Sequence, residues 1–272
     1  MKFVKSILFI CCCGIIAASC TRGNLLDENI QWQQVDPGKA ANIKLIQNFA
    51  GNTPQLPTAA NLTTGPQLFL YANGKKVTGN AVGYAGIFPA TTVYASIEPG
   101  TNIRFDLIMA RMNLTVVPNV PAFNGGDTLA TFNQTLEAGK FYSFMVGDTV
   151  PTIRVTVIED DLTAPAYQTY KIRLANWVMN PGDTLSLYSR REKKEIIQDV
   201  AHKKASDWVQ LPLPIISDTL ELRKKGSQTI YVTVGGTAPT FTPTGMRMYT
   251  VVARGKTGVT AKIPSASIFT NR

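Results

Sequence analysis

From about residue 41 to the C-terminus, short apolar stretches alternate with polar positions and end at Gly, Pro, Asn or Asp. NIKLIQNF, QLFLYANG, TVYASIEPG, NIRFDLIM and FYSFMVGD are the clearest in the first half, KIRLANWV and MYTVVARG in the second. A period of two, with Val, Ile, Thr, Tyr and Phe favoured, predicts half-buried strands. Asn73-Gly74 directly after LFLY predicts a tight hairpin, because both central residues of a type I′ turn need positive φ. Glu192 to Lys204 carries Ile196, Ile197 and Val200 at spacings that fit a helix or a strand followed by a basic loop. The pattern predicts an all-β chain.

The strands repeat. NIKLIQNF matches KIRLANWV, LFLYANGKK matches LSLYSRREKK, and VYASIEPG matches DWVQLPLP; IRFDL then matches TLELR, and FYSFMV matches MYTVVA. Five matches in one order predict two tandem copies, 41–164 and 165–272, joined in EDDLTAPAYQ. About seven short antiparallel strands per unit predict immunoglobulin-like β-sandwiches, whose apolar faces hold them together without a disulfide. Trp177 and Trp208 are expected to pack within or beside these cores.

Several of these motifs resemble the bacterial tandem domain-of-unknown-function family numbered 4397: the IRLANW opening strand, the LSLY strand with its charged hairpin, and the late MYTVVARG strand. The resemblance covers about 230 residues and implies a secreted or lipid-anchored β-sandwich repeat. It implies no catalytic residue. The first copy departs from the pattern in NTPQLPTAANLTTGP and NLTVVPNVPAFNGGD.

All four cysteines fall in the first twenty residues, in CCCGIIAASC. Lys2 and Lys5 precede an apolar run of 12 residues, Ile7 to Ala18, too short to cross a bilayer but suited to a secretory leader. Ala17-Ala18-Ser19 followed by Cys20 resembles a bacterial lipobox, which implies cleavage after residue 19 and acylation of Cys20, palmitate included. Residues 1–19 are then a signal peptide and 20–40 a lipidated tether, and the mature chain keeps no unmodified thiol. The resemblance implies attachment to the outer membrane, with periplasmic and surface faces both open. Two or three acyl chains suffice for a stable anchor where one does not.

The search for chemistry predicts no enzyme. His202 is the one histidine, no G-x-S-x-G surrounds a serine, and no nucleotide or zinc motif occurs. No cofactor or metal is expected; Glu159-Asp160-Asp161 reads as a solvated junction between domains. Charge is divided unevenly. Residues 41–164 hold 7 Lys/Arg against 8 Asp/Glu, whereas 165–272 hold 16 against 7, a net of +9. The excess gathers in Arg190, Arg191, Lys193 and Lys194, in Lys203 and Lys204, and in Arg223, Lys224 and Lys225, with the first and last groups expected to form one basic end. Such a patch solubilises, or it attracts an acidic polysaccharide, lipopolysaccharide or an anionic envelope protein. Nucleic acid does not fit an exported protein. Asp-Thr-aliphatic triplets make Thr128, Thr149, Thr184 and Thr219 candidate O-glycosylation sites, though Asp before a strand is also ordinary turn chemistry. The leading expectation is a non-enzymatic envelope lipoprotein. The competing one is a glycan-binding accessory of polysaccharide uptake, using Tyr84, Tyr94, Trp177 or Trp208 as stacking platforms.

Overall fold

The computed structural model describes residues 36–49, 67–90, 92–111, 125–148, 153–180, 182–236, 240–257 and 263–272. Cys20, the expected signal peptide, most of the expected tether, Thr149 and most of both first-copy insertions lie outside them. Every regular element among the described residues is a strand. None is a helix long and apolar enough to cross a membrane.

The first half contains β1 (Ala41–Gln47), β2 (Gln67–Ala72), β3 (Lys75–Lys76), β4 (Ile87–Phe88), β5 (Ala95–Ile97), β6 (Gly100–Arg111), β7 (Thr128–Leu136), β8 (Phe141–Gly147) and β9 (Arg154–Glu159). The second contains β10 (Thr169–Val178), β11 (Leu185–Ser189), β12 (Lys194–Val200), β13 (Lys204–Ala205), β14 (Val209–Pro212), β15 (Leu220–Lys224), β16 (Ile230–Thr233), β17 (Met248–Gly255) and β18 (Ser265–Thr270). Each half is a two-sheet sandwich. One sheet of the first half runs β4-β1-β8-β9, with β5 also on β1, and the other runs β3-β2-β6-β7. The second half repeats this as β13-β10-β17-β18, with β14 on β10, over β12-β11-β15-β16. The Glu192–Lys204 segment is thus a strand and a basic turn, because Ile197 and Val200 face the core while Lys194 and Glu195 pair along β11.

Registers make the repeat concrete. Asn42 stands opposite Phe141 in the parallel β1–β8 pair, and Lys171 stands opposite Met248 in β10–β17, the same offset as the sequence matches. One match is out of step. Leu70 opposes Leu107, and Leu187 opposes Leu222, so Phe105 and Leu107 correspond to Leu220 and Leu222. The strings IRFDL and TLELR therefore align after a one-residue slip, which matters because such a slip exchanges the faces of a strand. A tyrosine buttress also recurs: Tyr142 Oη accepts the Glu137 N–H at 3.1 Å, and Tyr249 Oη accepts the Thr244 N–H at 2.8 Å.

Each sandwich has its own apolar core, around Phe105 and Phe144 in one and Leu174, Leu222 and Val251 in the other. Burial of such side chains contributes roughly 1.5–3 kcal/mol each. A third cluster joins Ile46 and Met145 to Ala175, Trp177 and Val252, across the two halves. This explains why β1 and β17 are buried at every position: one face of each covers its own core and the other covers the partner repeat. Pro37 to Ala40 belong to the same compact body, so the folded part begins before the expected end of the tether at residue 40.

Candidate functional site

The outward face of β1 and β8 meets the outward face of β10 and β17, and the polar residues there form a buried band. Asp160, 3% exposed, accepts the Ser143 hydroxyl at 2.6 Å and the Tyr94 hydroxyl at 2.8 Å, and pairs with Arg173 of the other repeat at 2.6 Å. Arg173 Nε donates to Thr250 at 2.9 Å, and Thr250 donates to Asn271 at 2.7 Å. Asn271 returns across the boundary, donating to the Tyr94 hydroxyl at 3.0 Å. The circuit is built from equivalent positions. Lys44 lies 4.8 Å from the Tyr94 ring centroid, as Arg173 lies 4.4 Å from that of Trp208, and Ser143–Asp160 corresponds to Thr250–Asn271. The repeats differ at the last pair, where one has a carboxylate and the other an amide.

Burial governs the titration of this band. It lowers Lys44 to about 8, partly offset by the nearby Asp160 carboxylate. It pushes the Tyr94 phenol far above its ordinary range, with the Asp160 charge adding to the rise. Farther along the strands, Arg254 is lowered to about 10 by burial. Its guanidinium donates to the Ala85 carbonyl of the first repeat at 3.1 Å and to Ser267 at 2.7 Å. Lys203 reaches Asp148 at 2.5 Å, a further ion pair between the repeats. Glu159-Asp160-Asp161 is accordingly not a uniformly solvated junction: its middle member is the buried keystone.

Above the band opens a cleft of about 820 Å³, lined by Tyr94, Phe141, Asn42, Ser96, Lys140 and Arg247 among others. Both repeats contribute to it. Tyr94 meets Phe141 edge-on, with centroids 5.2 Å apart. Lys140 is held by Glu159 at 2.7 Å, whereas Arg247 is exposed. The cleft offers two aromatic edges, amide and hydroxyl groups, the cations Lys140, Arg247 and Arg272 and the carboxylates Glu159, Asp160 and Asp161, a set suited to a polar ligand. The aspartates at its wall are engaged by hydroxyls, Asp161 accepting from Thr163 at 2.6 Å and Asp160 from Ser143 and Tyr94. Among the described residues, no group of three His, Cys, Asp or Glu is placed to hold a metal ion. His202 stands in the β12–β13 turn, where burial and the Lys203 charge hold its imidazole below the ordinary range.

The aromatic candidates separate by burial. Trp177, 2% exposed, is sealed between the repeats and is removed as a stacking platform, since a ring covered on both faces cannot meet a sugar. Tyr84 is half-buried beside Arg254 and Ser265 of the second repeat, so it too serves the boundary. Trp208 is half-buried with one face covered by Arg173. Tyr94 is the one of the four that lines the cleft.

The basic residues do not form one end. Because β11 and β15 are antiparallel, Ser189 lies opposite Leu220 and Leu185 opposite Lys224. The Arg190–Lys193 turn and the Lys225–Gly226 turn therefore sit at opposite ends of the sheet, about 14 Å apart by strand rise. Several of the charges are also neutralised. Glu221 holds Arg190 and Arg223, Asp183 holds Lys224, and Asp199 holds Lys225. Lys204 is exposed, near the Lys225 end. Of the threonine candidates, Thr128 is exposed, while Thr184 and Thr219 are half-buried in turns closed by Asp183 and Asp218.

What sequence reasoning missed was the pairing of Lys44 with Tyr94 and Arg173 with Trp208. The aligned repeats do place these residues at matching positions, and that coincidence was the available signal.

No protein-family model matches the chain, and no curated protein matches it. Among solved structures it is similar to "The Bacillus anthracis TIE protein", at 10% identity and a TM-score of 0.21, over 80% of this chain and 34% of that one. The chain thus spans about a third of that structure's length.

Proposed function

We propose that this chain is a non-enzymatic lipoprotein of the outer membrane, acylated at Cys20, which presents its two β-sandwiches as one binding body. The cleft shared by both repeats carries this reading. It is solvated and of ligand size, and its walls come from residues far apart in sequence, so recognition there depends on the joined body rather than on either repeat. The lipobox-like Ala17-Ala18-Ser19-Cys20 supports the anchor, and the lack of any later cysteine accords with a chain that spends its thiol on lipid. Membership of the family numbered 4397 is part of the same proposal, resting on the repeated strand motifs.

A glycan-binding accessory role is the second reading, favoured by Tyr94 and Phe141 beside the Arg247 guanidinium. An acidic saccharide would set its apolar face against one of the two rings, which stand at 82° to each other, and turn its carboxylate toward the cation. Thr128 is the best-placed of the described threonines for O-glycosylation.

Fractionation tests the anchor. The wild-type protein is expected in the detergent phase with an acylated Cys20 as its first residue, and Cys20→Ala is expected to lose that N-terminus. A Cys20→Ala protein with the same mature N-terminus, still fully in the detergent phase, would overturn the anchor.

A further inference from the structure

One end of the second sandwich combines apolar side chains in water with basic ones. Of the seven large hydrophobic residues that are exposed among those described, Tyr167, Ile215, Ile216 and Met246 gather here. Backbone bonds place them together: the Leu213 N–H donates to the Gln168 carbonyl, and the Met246 N–H donates to the Thr169 carbonyl. Ile215 is fully exposed at the tip of the loop between β14 and β15. The Arg190–Lys194 hairpin stands beside that loop, with Arg191 Nη1 donating to the Ile216 carbonyl at 3.2 Å. Lys193 and Lys194 are exposed and have no acidic partner within 4 Å among the described residues. Arg247 and Arg272 line the adjoining cleft. Water-facing isoleucines at a loop tip contribute nothing to the fold, and such patches mark surfaces that meet another apolar phase.

We propose that this end is a membrane-docking face, which inserts Ile215 and Ile216 among anionic phospholipids while Lys193 and Lys194 of the hairpin meet their phosphates. Charge complementarity selects the occupant: apolar residues enter the acyl boundary, and lysines nearby gain from a negative surface. The start of the compact body supports the same choice. Pro37, its first residue, lines the cleft shared with Arg247 at this end. Sixteen positions separate Cys20 from Asp36, a reach of at most roughly 55 Å when extended. That last point rests on the lipoprotein reading; the exposed loop and the basic hairpin do not. Docking would fix the tethered body in one orientation and tip the cleft toward the bilayer.

The test places a single fluorophore on a cysteine introduced at Ile216, or at Gln228 in the exposed β15–β16 turn of the opposite end. The full chain is reconstituted in phosphatidylcholine vesicles with or without phosphatidylglycerol, and spin-labelled lipids serve as quenchers. The label at 216 is expected to shift to the blue and be quenched in anionic vesicles, while the label at 228 stays aqueous. Lys193→Glu with Lys194→Glu is expected to cut the quenching several-fold with an unchanged circular dichroism spectrum. Equal quenching at both labels, none at 216, or insensitivity to the charge reversal would overturn the proposal. A blue-shifted 216 label without lipid would overturn it in favour of a protein interface. An intact mass lacking acyl chains would sink the anchor alone. The face would then still be read by adding the unacylated chain to anionic vesicles, where quenching at 216 must appear and fade with salt.

Discussion

Lys44 is the residue whose chemistry was least legible. In NIKLIQNF it occupies an outward, polar position, and period-two logic assigns such a position to water. The second repeat covers that face, so the ammonium is buried against Tyr94 and near Asp160. A lysine lowered to about 8 binds fewer protons in the folded state than in the unfolded chain between about pH 8 and its ordinary 10.5. Stability conferred relative to Lys44→Met should therefore rise with pH across that window. Tyr94 and Tyr170 are raised and oppose the trend only at higher pH, so the window from pH 7 to 9 carries the comparison. Denaturant titrations of both proteins, at pH 7, 8 and 9, would measure the difference between them; a constant or falling difference contradicts the burial. Gly147 is a second such residue. A Cβ there would stand 2.7 Å from Trp177 Cδ1, and the ring has no room to retreat between the repeats. Gly147→Ala is expected to cost about 1–3 kcal/mol by overpacking, measured as a lower urea midpoint at unchanged slope. A neutral result would mean that the repeats can part without cost.

At the scale of elements, the sequence was most readable where local and global demands coincide. Alternation along β7 and the Asn73-Gly74 turn are local properties, and the structure keeps them. The matched strands NIKLIQNF and KIRLANWV hold equivalent registers for the same reason: repetition copies the pattern of contacts with the sequence. Two features were not legible. The position of the basic turns depends on how β11 and β15 run, and a hairpin-rich sequence does not say which turns share an end. The acids that neutralise Arg190, Arg223 and Lys224 come from Glu221 and Asp183, close in space only after the sheet forms. The Lys224–Asp183 pair lies near the surface and adds little stability, typically below about 1 kcal/mol, whereas Glu221 is buried under its two arginines. All three pairs remove charge from the surface a polyanion would meet. The candidate site was half legible: Tyr94 was singled out, while its partners Asp160 and Asn271 lie in segments that read as linker and terminus.

For the whole molecule, two tandem copies look in sequence like beads on a string, and the acidic stretch between them like a hinge. The structure instead joins the copies through an apolar seam around Trp177 and a polar band around Asp160–Arg173, and the cleft exists because they are joined. Breaking one partner of a buried ion pair typically costs about 3–5 kcal/mol, so the seam is strong enough to couple the unfolding of its two sides. Differential scanning calorimetry of the full chain tests this most directly. One transition, with equal calorimetric and van't Hoff enthalpies, is the expected result. Two separate transitions, each matching one repeat, would contradict the joined body and the shared cleft with it.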